Sequence, residues 1–286
     1  MSESDRRWAV VGAGGMLAAD LIPLLAGRDI RAFRRSELDI CDVAAVQREL
    51  RDVDVVINCA AYTAVDDAET HEAEASAINA DGVRNLAQVC AEMSSRLVHI
   101  STDYVFAGDA SSPYSESAPR DPKTAYGRSK AAGEAAIASL IPESSWILRT
   151  AWLYGSHGPN FVSTMRRLEA QRDTIDVVND QQGQPTWTKD LAKRIVETVE
   201  RDLPAGIYHA TNSGSASWFD LARAVFQLLG ADPERIRPTT TDKFPRPAPR
   251  PAYSVLGHER WTSVGVQPMR HWHEALVDAA PEMLDR

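Results

Sequence analysis

Through the first half of the chain, short apolar runs alternate with stretches of helical spacing, and this alternation limits the possible folds more than any other feature. The runs are WAVVG (8–12), DIRAF (29–33), DVVINCAA (54–61), RLVHIS (96–101) and SWILRT (145–150). They show little polar–apolar alternation, as expected of strands covered on both faces in a parallel sheet. Between them, helices are predicted over about 15–26, 43–50, 71–93 and 125–140. In the third of these, Ala73, Ala77, Ala80, Val83, Leu86, Ala87 and Cys90 recur at helical spacing. Repeated strand–helix units predict an α/β fold with a doubly wound parallel sheet.

The turn after the first strand suggests a ligand. VVGAGGMLA places Gly12, Gly14 and Gly15 where that strand gives way to a helix. Glycines let the chain turn tightly and let backbone N–H groups approach a pyrophosphate, and the helix N-terminus adds positive partial charge. Gly12-x-Gly14-x-x-Leu17 lacks a third glycine, whereas Gly12-x-x-Gly15-x-x-Ala18 ends in a residue small enough for close helix–strand packing. A glycine-rich turn alone is weak evidence; the strand before it and helix after it strengthen the case for a dinucleotide. The second strand ends at Phe33 and continues as Arg34-Arg35-Ser36, without the acidic residue that would hold the 2′-hydroxyl of NAD. Guanidiniums suit a 2′-phosphate, so NADPH is the expected cofactor, with NADH a possible substitute. Asp39 and Ile40 can frame the adenine. An NAD(P)-binding Rossmann domain is expected over residues 1–150, with segments around 175–210 returning to it.

After Tyr154 the pattern loosens in YGSHGPNF and NDQQGQPTW. Short strands (175–178 and 207–210) and helices (about 188–200 and 217–229) are predicted, and the run PTTTDKFPRPAPRP (238–251) breaks regular structure. Residues 151–286 are expected to form mostly a smaller α/β substrate-binding region over the carboxyl ends of the strands.

The fourth strand ends in the polar cluster Ser101-Thr102-Asp103-Tyr104, at the end of the sheet where ligands bind. Tyr126 and Lys130 in YGRSK lie four apart, on one face of a helix. An ammonium beside a phenol lowers its pKa, and such a tyrosine can protonate a carbonyl oxygen as hydride reaches the carbon. Thr102 can hydrogen-bond that oxygen, while Ser101 should point to the opposite face. A lone YxxxK is weak; the ordered set of glycine turn, polar strand end and YxxxK is far more specific.

These residues, with NCAAYTAVDDAE, STDYVFAGD, YGRSKAAGE, LRTAWLYG, NDQQGQPT and FPRPAPRPAYS, resemble the RmlD-type dTDP-4-dehydrorhamnose reductases among the extended short-chain dehydrogenase/reductases. The resemblance runs from about Ala9 past Trp272. It implies an oxidoreductase of dTDP-rhamnose biosynthesis that reduces the C4 ketone of a dTDP-4-dehydro-6-deoxyhexose. It implies Tyr126 as proton donor, Thr102 as the carbonyl-orienting residue and Lys130 as the holder of the nicotinamide ribose. Met16, Leu17, Ala60, Ala61, Thr63 and, with Lys130, Tyr126 join the cofactor set; Val65, Thr102, Asp103, Tyr104 and Trp152 would line the sugar nucleotide. Some relatives dimerise through a magnesium site of glutamates. Here the corresponding positions are Asp20 and Lys189, so neither that site nor that dimer is expected, and the chain should be a monomer or weak dimer. Related 4,6-dehydratases carry an acid where this chain has Tyr104. Two alternatives share these motifs: a deoxysugar 4-ketoreductase of antibiotic biosynthesis resembling dihydrostreptose synthase, and a non-catalytic NADP-binding subunit resembling that of methionine adenosyltransferase.

Charge and composition narrow the partners. Net charge is -9 with a pI near 5.3, unlike a nucleic-acid binder. Three cysteines without a CxxC support neither a disulfide framework nor a metal site. The polar start MSESDRRW and the lack of a long apolar run suggest no signal peptide and no membrane span, hence a cytoplasmic protein. Arg246 and Arg250 are available for a nucleotide diphosphate, Asp66 can face the substrate, and Asn79 can fix backbone near the site.

Overall fold

In the computed structural model, which describes residues 6–284, the five apolar runs become strands of one parallel sheet. They are β1 (Arg7–Val11), β2 (Asp29–Phe33), β3 (Val55–Asn58), β4 (Arg96–Thr102) and β5 (Ser145–Thr150). A sixth strand, Gly206–His209, pairs in parallel with β5. The order is Gly206–His209, β5, β4, β3, β1, β2. The chain steps from β1 to β2 on one side and returns to β3 on the other, so a crevice opens beyond the carboxyl ends of these strands. Residues 1–5, with most of the polar start, lie outside the described residues.

Helices cover both faces. On one side α1 (Met16–Leu24) and the helix Thr188–Glu200 pack with Val10, Ile57, Val98, Leu148 and Tyr208. On the other, α2 (Val43–Glu49), α5 (Val83–Met93) and α6 (Ala125–Leu140) pack with Val11, Val56, Leu97 and Ile147. Adjacent residues of β4 therefore face opposite layers, which sends Ser101 toward α6. Between α2 and α5 lie the short helices α3 (Val65–Ala68) and α4 (Glu72–Ser76).

The predicted 71–93 helix contains a π-helical turn, Ala77–Gly82, between α4 and α5. That turn holds Asn79, whose Oδ1 accepts from the Tyr62 N–H at 2.8 Å and whose Nδ2 donates to Tyr62 O at 3.0 Å and Ser129 Oγ at 3.0 Å. Opposite it, α6 approaches so closely that a Cβ on Gly133 would overlap the Asn79 carbonyl oxygen. The extra residue in the turn thus ties the 60–63 segment to α6, the kind of local distortion often found beside functional sites.

The helices Phe161–Glu169, Trp218–Leu228 and Trp272–Leu284 enclose a separate core of Tyr154, Val162, Trp187, Leu221 and Phe226. One expected segment does not return to the main sheet. Ile175–Val178 pairs instead with Ile236–Thr239, and the return begins at Thr188. The reason is packing: Val177 and Ile236 are buried in this second core. Pro238 is tolerated because a two-stranded ribbon leaves one edge free of ladder bonds. The proline-rich run is tied down at its end, where Ala252 O accepts from Gln182 N at 2.8 Å and Tyr253 N donates to Gly108 O at 2.9 Å. Among the described residues no helix is long and apolar enough to cross a membrane.

Candidate active site

The turn between β1 and α1 is built for close approach. Gly12 has φ +83°, and a Cβ there would lie 2.5 Å from Ala60 N. The N–H groups of Gly12 and Ala13 both donate to Phe33 O at 2.9 Å, which ties the turn to the end of β2. Gly15 caps α1 with no side-chain hydrogen bond, and no acidic residue sits in the first turn. Its first N–H groups therefore keep both their hydrogen-bonding capacity and the positive end of the helix dipole. They open on a cavity of about 800 Å³ that Gly14, Gly15, Met16, Leu17, Arg34, Ala61 and Thr63 help line. A neighbouring cavity of about 230 Å³ is lined by Gly12, Arg35, Asp39, Ile40 and Ala60. Arg34 and Arg35 are both exposed. An uncapped helix end, a turn closed to a Cβ at Gly12 and two exposed guanidiniums at the far end fit a phosphorylated dinucleotide.

The larger cavity continues to the end of β4, where Thr102, Asp103, Tyr126 and Lys130 line it. The Thr102 hydroxyl donates to Asp103 Oδ1 at 2.9 Å and accepts from Tyr104 N at 3.2 Å. Among the described residues, Asp103 Oδ2 and Thr150 Oγ1 are buried with no hydrogen-bond partner. Burial pushes the Asp103 carboxyl up to about 6. Tyr126 stands in the first turn of α6, which Thr124 caps by accepting from Gly127 N at 3.0 Å. Tyr104 meets its ring edge to face, with centroids 5.6 Å apart.

The expected effect of Lys130 on the phenol is not what this geometry produces. Burial pushes Tyr126 up to about 12; the Thr102 hydroxyl opposes this and the Asp103 charge adds to it. Lys130 is itself buried, with Nζ donating to Ile100 O at 2.7 Å and lying 3.2 Å from His99 Nε2. Burial, partly opposed by Glu134, pushes it down to about 8. Desolvation is the largest influence on both groups.

Tyr126, Lys130 and Glu134 recur every four residues along the buried face of α6. Glu134 accepts from Ser101 Oγ at 2.6 Å and from Arg149 Nε and Nη2 at 2.9 and 2.7 Å. This network anchors the strand end that carries Thr102.

Val65, Tyr104 and Trp152 complete the larger cavity, and Tyr104 and Trp152 also line a third cavity of about 530 Å³. Trp152 has φ +47° and stacks on Trp218 with centroids 3.6 Å apart. A non-glycine residue with positive φ is strained and persists only where its surroundings hold it. Phe161, Trp218, Phe244, Arg246 and Arg250 share this third cavity. Asp66 pairs with Arg250 at 2.7 Å and lies 3.6 Å from Arg246. The aromatic wall escaped the sequence reading: Phe161 and Trp218 stand in ordinary amphipathic helices, and only packing brings them to Trp152.

The two positions linked to a metal-bridged dimer are occupied internally. Asp20 accepts from Thr188 Oγ1 at 2.5 Å, and Lys189 pairs with Glu282. Among the described residues no group of three or more His, Cys, Asp or Glu could hold a metal ion.

Comparison with known proteins matches residues 6–284 to a family described as the RmlD substrate binding domain. The dTDP-4-dehydrorhamnose reductase of Streptomyces griseus is 51% identical over 288 residues, spanning 98% of this chain and 95% of the relative. A probable dTDP-4,6-dihydroxy-2-methyloxan-3-one 4-ketoreductase of Streptomyces antibioticus is 52% identical over 283 residues, 97% of this chain and 96% of that one. Among solved structures, dTDP-4-dehydrorhamnose reductase of Bacillus anthracis in complex with NADP superposes with a TM-score of 0.93 at 39% identity, covering 97% of this chain and 99% of that one.

Proposed function

The chain belongs to the RmlD substrate binding domain family, and from that premise we propose that it reduces the C4 ketone of dTDP-4-dehydro-L-rhamnose to the alcohol of dTDP-L-rhamnose, using NADPH. One observation carries this reading: a single cavity joins the open N-terminus of α1 to Thr102, Tyr126 and Lys130.

Gly12, Gly14, Gly15, Met16 and Leu17 hold the cofactor pyrophosphate. Arg34 and Arg35 take the 2′-phosphate, Asp39, Ile40 and Ala60 border the adenine side, and Ala61 and Thr63 flank the nicotinamide half. NADPH, when bound, supplies the hydride that adds to the ketone carbon. Tyr126, raised to about 12, keeps its proton throughout the neutral range and delivers it to the ketone oxygen. Thr102 hydrogen-bonds the same oxygen and orients it. Lys130 holds the ribose. Val65, Asp103, Tyr104 and Trp152 line the sugar nucleotide, with Arg246 and Arg250 placed for its diphosphate. Tyr104, in place of an acid, leaves nothing at this position to drive elimination of water.

The test is to follow NADPH absorbance with freshly made dTDP-4-dehydro-L-rhamnose and identify the product by NMR. Absence of oxidation by folded, NADPH-binding protein would overturn the reading. A second reading keeps the chemistry and changes the sugar, and the similarity to the Streptomyces antibioticus ketoreductase favours it; there, a different 4-ketohexose is the better substrate and the product spectrum decides. Arg34→Ala should weaken NADPH binding roughly 10- to 100-fold, as expected for lost hydrogen bonds to a charged group, and leave NADH binding unchanged. Equal losses for both cofactors would remove Arg34 from the 2′-phosphate.

The internal pairing of Asp20 with Thr188 and of Lys189 with Glu282 supports a chain that works as a monomer or weak dimer. The free thiols of Cys41, Cys59 and Cys90 support work in a reducing compartment such as the cytoplasm.

A further inference from the structure

Asn58 and His99 are register partners on β3 and β4, and both are fully buried. The Asn58 carboxamide has one workable orientation. Its Oδ1 accepts from the Ala60 N–H at 3.0 Å, so its Nδ2 faces His99 Nδ1 at 3.0 Å. An amide NH2 can only donate, so Nδ1 must accept. An accepting Nδ1 excludes an imidazolium, and burial also holds the ring neutral, so its single proton is on Nε2. That N–H points at Lys130 Nζ, 3.2 Å away. A hydrogen bond from it requires a lone pair on Nζ, which an amine has and an ammonium lacks. The opposite tautomer would accept from an ammonium, but it would set Nδ1–H against the Asn58 NH2.

We propose that Asn58 and His99 are positioning residues that act through Lys130. Asn58 locks the histidine tautomer, the histidine N–H seats the amine form of the lysine, and together they set the pH at which Lys130 takes up its proton. The groups facing Lys130 are His99 on β4, Cys59 just past β3, and Tyr126 and Glu134 on α6. Glu134 and Cys59 favour the ammonium; burial favours the amine and prevails, leaving the lysine near 8. The His99 N–H works on the same side as burial.

This inference rests on the reductase reading only for its consequence in catalysis, so the test needs no substrate. Long-range ¹H–¹⁵N NMR of the histidine rings in the full chain, with the His99 signals assigned from a His99→Gln variant, reads the tautomer directly. The expected result is an Nε2-protonated, Nδ1-accepting ring whose shifts change as Lys130 titrates near pH 8. An Nδ1-protonated ring, or an imidazolium, overturns the proposal. Asn58→Leu removes the lock without adding charge. If the lock acts as proposed, the titration seen at His99 moves to higher pH, by about one unit for the loss of one hydrogen bond. A more apolar neighbour acting only by desolvation moves it to lower pH, and that result, or no movement, overturns the proposal. Should Asn58→Leu fail to fold, the tautomer in the parent chain still decides. In the working enzyme the basic limb of kcat/KM moves upward with the same variant. Loss of turnover with every ketosugar, beside an unchanged NMR result, would overturn the reductase reading alone.

Discussion

Tyr126→Phe will lower kcat for ketone reduction by roughly 10²–10⁴-fold, the usual contribution of a positioned general acid. The ring is held independently of its hydroxyl: it lies in the first turn of a capped helix and meets Tyr104 edge to face. Phenylalanine therefore keeps the packing and removes only the proton and the Thr102 contact. NADPH affinity should stay near that of the parent, because the glycine turn and Arg34 lie elsewhere along the cavity. The parent rate should not fall at low pH through loss of this acid, since a phenol near 12 is fully protonated across the neutral and acidic range. Stopped-flow single turnovers with saturating NADPH measure the chemical step directly. A variant as fast as the parent would remove Tyr126 from proton transfer and leave water or another group as the acid.

The second large effect is on stability. Glu134→Ala should destabilise the fold by about 3–5 kcal/mol, the cost of stranding a buried charge. The Arg149 side chain is 1% exposed and Glu134 is 0% exposed, so solvent cannot replace the lost partner. Ser101 Oγ loses its acceptor at the same time, next to the strand end that carries Thr102. Such a loss is a large part of the 5–15 kcal/mol that usually holds a domain together. The denaturation midpoint in urea or on heating checks it, and a shift worth less than about 1 kcal/mol would mean that water reaches Arg149. Replacing both residues with leucine should recover much of the loss, because the uncompensated charge is then gone.

Both predictions turn on α6, and they separate what was readable in the chain from what was not. The positions of Tyr126 and Lys130, the glycine turn and the Arg34-Arg35 pair follow from rules acting over a few residues. Strand–helix alternation, helical spacing and turn chemistry are local, so the five strands of the first half and the order of the site residues along the sheet end were legible. The residues named for catalysis, the cofactor and the sugar nucleotide border one of the three cavities, whereas Asp66 pairs with Arg250 and Asn79 bonds Tyr62 and Ser129 without lining any of them. The 71–93 helix was legible too, but not its π turn, which depends on Asn79 reaching Tyr62 and Ser129.

What only the tertiary structure decided involves partners far apart in the chain, or burial, which is a property of the whole packed molecule. Arg250 meets Asp66, Trp152 stacks on Trp218, and Gly206–His209 joins β5, across separations that no local pattern encodes. The direction of the Tyr126 shift belongs to the same class. Sequence spacing puts a lysine one turn from the phenol and suggests a lowered pKa. Packing buries both groups and turns the lysine toward Ile100 and His99, and desolvation reverses the sign.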